Sequence, residues 1–236
     1  MAAAAHPSAP APVAARAVWY RALGTRCRTL WPLKLVGNTA ATVGFFVLYF
    51  AVMAQSLPHA TLLPLTPLDR WLELRVAALP LYGSLWLYLA LPPAFAKDMR
   101  ELNAFAINAA LMSAIALTIF WFWPTAVPIF AIDGELHPAL HFLKTTDAAG
   151  NAFPSLHVSF SVFACWLLAR QLRAVGAPWW ARALNLAWAV GIVYSTLAVR
   201  QHVVIDVAGG LVLGGAFCLL QPAPKATPAA VPVVQA

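Results

Sequence analysis

Apolar residues gather into six long runs, at about 36 to 54, 76 to 96, 104 to 123, 156 to 171, 181 to 199 and 203 to 220, divided by shorter stretches that hold most of the charge. Each run is close to the ~20 residues a helix needs to cross a bilayer core. The pattern predicts an all-α fold, a polytopic integral membrane protein whose six transmembrane helices occupy residues 36–220. Outside the runs the chain changes character. Residues 1–15 form an Ala/Pro tail with no apolar segment, read as disordered and not as a signal peptide. Residues 16–35 carry five basic side chains with Trp19, Tyr20 and Trp31, the look of a juxtamembrane interfacial segment. Residues 221–236 are a second short tail.

Composition agrees with the pattern. At 62% hydrophobic and 10% charged, the chain is too apolar for an ordinary soluble domain. Its formal charge of +7 raises nucleic acid as a partner, but the placement of that charge answers otherwise. With the N-terminus inside, Arg16, Arg21, Arg26, Arg28, Lys34, Lys97, Arg100, Arg170, Arg173, Arg182 and Lys225 lie on the cytoplasmic side. Only Arg70, Arg75, Lys144 and Arg200 lie on the other. Eleven against four follows the positive-inside rule, so the basic balance is accounted for by membrane topology. The partners expected are membrane lipids. The three cysteines, Cys27, Cys165 and Cys218, show neither a disulfide framework nor metal-ligand spacing. A short polytopic chain rich in Ala, Arg and Trp suggests a bacterial inner membrane.

Candidate chemistry lies at two span starts. Asn151-Ala-Phe-Pro-Ser-Leu-His157 puts a turn, a proline, a hydroxyl and a titratable ring directly before an apolar run. Pro154 suits the first turn of a helix, with Asn151 or Phe153 just outside it and Ser155 and His157 in that turn. Unpaired N–H groups and the positive end of the macrodipole make such a start a seat for phosphate. Further on, His202 and Asp206 are four apart and share a helix face, where the carboxylate can hold one ring nitrogen and leave the other more basic. The topology brings His157, His202 and Asp206 to the same outer face, under a lid formed by residues 124–153. A structural hydrogen bond stitching two helices is the plainer account of His202 and Asp206; convergence of the three favours chemistry. His137 and His141, with Asp133 and Glu135 nearby, have metal-ligand spacing but read as a solvated loop helix. The glycines at 209, 210, 214 and 215 read as a close-packing helix face.

These residues resemble a known family. Pro154-Ser155-Leu156-His157, followed by Ser195, His202 and Asp206, is similar to the second and third signature motifs of the type 2 phosphatidic acid phosphatase (PAP2) superfamily. The resemblance covers about residues 97–215. It implies a PAP2-like helical bundle and a lipid phosphatase acting on a phosphate ester or diphosphate, without metal or other cofactor. It further implies that His202 takes the phosphoryl group as phosphohistidine and that Asp206 orients it. His157 would act as acid and then base, and Ser155 would hold phosphate oxygens. Two departures stand out. The stretch Trp121 to Pro128, where the family carries a Lys and an Arg-Pro, has no basic residue, and Thr196 replaces the Arg expected after Ser195. Arg200 is the obvious substitute, with Lys144 in the lid behind it. The run Arg200-Gln201-His202 also resembles a branch that includes inositol-phosphorylceramide synthases, and a thinner cationic clamp suits a phosphodiester. Lipid phosphotransfer is therefore the alternative expected activity, with a non-catalytic carrier or scaffold a third.

Overall fold

The computed structural model describes residues 19–128, 138–147 and 150–221. The expected tail at 1–15 and nearly all of 221–236 lie outside the described residues. The fold is mostly helical: α1 (Trp19–Arg28), α2 (Trp31–Ser56), α3 (Pro67–Trp71), α4 (Leu79–Gly83), α5 (Leu85–Ala94), α6 (Met99–Phe122), α7 (Pro138–Asp147), α8 (Leu156–Ala174), α9 (Trp179–Ala198) and α10 (Val204–Leu219). Two short strands, β1 (Thr61–Leu62) and β2 (Thr125–Ala126), pair in parallel and tie the loop after α2 to the loop after α6.

Every apolar run is helical, the second of them divided between α4 and α5 by a break at Ser84. Among the described residues three segments are long and apolar enough to cross a membrane, Trp31–His59, Val76–Ala94 and Met99–Phe122, while α10 is a shorter apolar helix. Local chemistry sets the ends. Asp98 caps α6 by accepting from the Glu101 N–H at 2.9 Å, and Gly176 adopts a left-handed φ of 71° just past α8, where a Cβ would be strained.

Helix α2 begins at Trp31, so the segment read as juxtamembrane ends in a helix. Lys34, expected at the basic surface, is buried there and donates to the carbonyls of Arg26 at 2.7 Å, Ala94 at 2.9 Å and Ala96 at 2.7 Å. The cause is the C-terminus of α5, whose last carbonyls have no helical partner; an ammonium with three donors satisfies them and favours the negative end of the helix dipole.

Helix α8 is the centre of the bundle, packed against α5, α9 and α10. Its buried Phe160, Phe163 and Ala164 meet a core that includes Tyr88, Met112, Phe120 and Ile192. One polar link crosses that core. The Tyr88 hydroxyl donates to Asn185 Oδ1 at 2.6 Å, and Asn185 Nδ2 donates to the Cys165 carbonyl at 3.0 Å, joining α5, α9 and α8.

The contact between α8 and α10 positions everything that follows. A Cβ at Gly210 would lie 2.8 Å from Val158 Cβ, and one at Gly214 would lie 3.0 Å from Ser159 Cα. These two glycines therefore let the backbones approach as the small-residue face predicts, and the Ser159 hydroxyl donates across the gap to the Gly210 carbonyl at 3.1 Å. Gly215 faces open space. Gly210→Ala should lower stability by about 1–3 kcal/mol, because overpacking outweighs the roughly 1 kcal/mol of helix propensity it gains. Gly215→Ala should be neutral or stabilising. Thermal melting in detergent checks both, and equal shifts would overturn this account of the seam.

Candidate active site

The N-termini of α8 and α10 lie side by side. The Ser155 N–H donates to the Asp206 carbonyl at 3.0 Å. Ser155 itself is the N-cap of α8, its oxygen accepting from the Val158 N–H at 3.3 Å. Pro154 thus precedes the cap instead of sitting in the first turn, because a serine hydroxyl answers an orphan helical N–H. Ser155 is fully buried, with its oxygen engaged in this cap.

Asp206, also fully buried, sits in the first turn of α10. One carboxylate oxygen accepts from the Val203 N–H at 2.9 Å and the other faces His202 Nδ1 at 2.9 Å. An ionised carboxylate can only accept, so the proton on this bond belongs to Nδ1, and Nε2 presents its lone pair. The backbone of His202 is fixed as well. Arg200 takes a left-handed φ of 58°, and the N–H groups of Gln201 and His202 both donate to the Thr196 carbonyl at 3.1 Å. Thr196, standing where an arginine was expected, is buried and donates its hydroxyl to the Val193 carbonyl at 2.8 Å.

His157 lies on the second residue of α8. Its ring stacks on Tyr82 with centroids 4.0 Å apart and planes 14° from parallel, and its Nε2 lies 3.0 Å from the Tyr82 carbonyl. A carbonyl accepts, so here Nε2 carries the hydrogen and Nδ1 is the nitrogen available for chemistry. The two histidine rings are 6.4 Å apart. The predicted trio is therefore brought together, each ring anchored through one nitrogen.

The cations are placed differently. The Arg200 guanidinium donates to the backbone carbonyls of Asp69, at 2.9 Å, and Leu72. It tethers the loop around α3 to the loop that carries His202. Lys144 falls on α7, and its side chain lies outside the described residues, as do Asp133, Glu135 and His137. Arg100 is in the first turn of α6 and Lys97 stands just before it, about 32 Å or more from the Trp121 end by helical rise. Among the described residues no three His, Cys, Asp or Glu side chains group as metal ligands. Part of the expected lid is described: Leu140 of α7 is buried in a cluster with Ala78, Tyr82, Ala198 and Val199.

Sequence reasoning missed two residues here. Tyr82 reads as one more interfacial aromatic, and only the fold shows it against His157. Asp69 had a signal, because Thr66-Pro67-Leu68-Asp69 spells a capping box. Buried Asp69 accepts from the Thr66 N–H and hydroxyl at 2.8 and 2.7 Å through Oδ2. Its Oδ1 accepts from the Val204 N–H at 2.9 Å, which caps α10 from outside. Asp69→Ala should lower stability by about 1–3 kcal/mol, since it leaves the Val204 N–H unpaired, whereas Asp69→Asn keeps an acceptor and should cost less. Melting temperatures of the two variants check this; an Ala variant as stable as the Asn variant would remove Asp69 from the site's framework.

Comparison with known proteins places this arrangement. No curated protein and no solved structure matches the chain. The family model described as the PAP2 superfamily matches residues 70–220, from the helix of Asp69 through Tyr82, His157 and His202 to the end of α10. That span begins before residue 97, where the motif resemblance started, and covers well over half of the sequence. The chain belongs to the PAP2 superfamily.

Proposed function

We propose that this protein is a membrane lipid phosphatase that hydrolyses a phosphate ester or diphosphate of a lipid through a phosphohistidine on His202. The observation that carries the reading is the pair of histidine rings 6.4 Å apart, with Asp206 on Nδ1 of one and the Tyr82 carbonyl on Nε2 of the other. That gap suits one phosphoryl group between a nucleophile and an acid. His202 Nε2 attacks phosphorus while the bond to the lipid oxygen breaks, and Nδ1–H of protonated His157 supplies the proton to that oxygen. Water then attacks the phosphohistidine. His157 Nδ1, now unprotonated, takes the water's proton, and phosphate leaves as the bond to His202 breaks. Asp206 stabilises the positive charge on His202 throughout. Positioning and charge neutralisation are the main demands of phosphoryl transfer. Arg200 stands two residues from the nucleophile, with Lys144 on α7 as a second cation and backbone N–H groups at the start of α8 as further donors.

The same reading places six helices across the membrane with the site at the outer face and both tails inside. Headgroup transfer to an alcohol is the second reading. What favours it is the buried Thr196 in the place of an arginine and the absence of basic residues from Trp121 to Pro128, which suit a less charged phosphodiester.

The decisive measurement is phosphate release by purified protein from phosphatidic acid, phosphatidylglycerophosphate and undecaprenyl diphosphate. His202→Ala should lose roughly a thousandfold or more in turnover; full activity in that variant would end the proposal. Release that appears only as headgroup transfer, once an alcohol acceptor is added, would decide for the second reading. His157→Ala should lower kcat roughly 10²–10⁴-fold on a lipid phosphate. The loss should shrink on an aryl phosphate, whose leaving group needs no acid; equal losses on both would remove His157 from the acid role.

A further inference from the structure

The structure contains a long apolar groove that the reaction at the histidines does not use. It lies between α2 and α6, with α5 and Phe160 of α8 beneath it, and encloses about 570 Å³. We propose that this groove holds one hydrocarbon chain of the lipid whose phosphate sits between His157 and His202. The inference rests on the reaction proposed above and adds where the substrate's tail lies.

Continuity with the site is the first argument. Phe160 follows His157 by three residues on α8, one helical turn further in, and Trp86 stands near the start of α5, directly after the short α4 that carries Tyr82. A chain leaving a phosphate at the histidines enters the groove there. The second argument is shape. Along α6 the lining runs from Leu117 to Met99, about 27 Å by helical rise. A cavity of about 570 Å³ drawn out over that length is long and narrow, the shape of an extended chain and not of a headgroup. A depth of 27 Å is also nearly the whole ~30 Å hydrocarbon core, so the occupant passes the bilayer midplane instead of stopping in one leaflet.

The third argument comes from glycine. At Gly210 and Gly214 an added Cβ would strike α8, whereas at Gly37 and Gly44, in the groove wall, it would meet nothing within 4 Å. Those two glycines of α2 serve no helix contact. Together with Ala106, Ala110 and Ala114 on the facing wall, they keep the slot wide. Leucine at position 44 fits the protein and blocks the groove, and as a helix former it favours α2.

The test compares long-tailed phosphatidic acid with its short-tailed, water-soluble counterpart, in wild type and Gly44→Leu. Binding energy from a remote tail is recovered in kcat/KM, so the long-to-short ratio of kcat/KM should fall roughly tenfold or more in the variant. An unchanged ratio, with wild type active on both lipids, overturns the groove and leaves the phosphatase intact. If wild type cleaves neither lipid, the groove is judged by labelling, and the phosphatase reading fails only if phosphatidylglycerophosphate and undecaprenyl diphosphate are left intact as well. Photoactivatable long-tailed phosphatidic acid in phosphatidylcholine vesicles should then label peptides of α2 and α6 in wild type, and much less in Gly44→Leu. Equal labelling by photoactivatable phosphatidylcholine would mean that bulk membrane lipid fills the slot, and would overturn the proposal.

Discussion

Two helix N-termini held against each other are the constraint on which the rest of the structure depends. The Ser155 N–H reaches across to the Asp206 carbonyl, and one turn further in the Ser159 hydroxyl reaches the Gly210 carbonyl. Such an approach is open only to a helix without side chains along the contact, which is why Gly210 and Gly214 face α8. His157 in the first turn of α8 and His202 just before α10 then lie near each other without any flexible segment having to close. Both rings come preorganised, because Asp206 and the Tyr82 carbonyl each occupy one nitrogen and leave the other directed elsewhere.

A second frame of hydrogen bonds supports this pair from the loops. Asp69 caps α10 from another part of the chain, Arg200 donates to the carbonyls around α3, and Thr125 accepts from the Ala152 N–H through its carbonyl and from the Phe153 N–H through its hydroxyl oxygen. Asn151, at a left-handed φ of 50°, adds bonds to Ser56 and the Tyr49 carbonyl on α2. Four loops distant in sequence thereby share one network at the site end of the bundle. Arg200 belongs to that frame through its carbonyl partners, so its charge beside His202 is held in place by the fold and is not carried on a mobile side chain.

In the proposed reaction the site and the groove divide the work of recognising a lipid between two kinds of surface. Directional groups, ring nitrogens and N–H donors cluster at one end, where charge must be met atom by atom. Below them the walls are aliphatic and small, where an apolar chain gains from leaving water or from fitting a slot and needs no directional partner.

Much of this was legible without coordinates. Length and hydropathy of the runs determined the helices, because a buried backbone in an apolar setting must satisfy its own hydrogen bonds; the four-residue spacing of His202 and Asp206 foretold their pairing but not its cause, since His202 stands two residues before α10 and a bend at Arg200, not a shared helix face, turns its ring to the carboxylate. The capping box at Thr66–Asp69 was equally written in the chain, although what Asp69 would cap was not. The tertiary structure alone decided that Pro154 stands outside its helix, that Lys34 turns inward to the end of α5, that Arg200 is tied to carbonyls, and that Tyr82 stacks on His157. Each of these depends on which unsatisfied backbone group or ring face another segment brings within reach. Such partners are neighbours in space at sequence separations as great as 131 residues, between Asp69 and Arg200, and no local pattern records them.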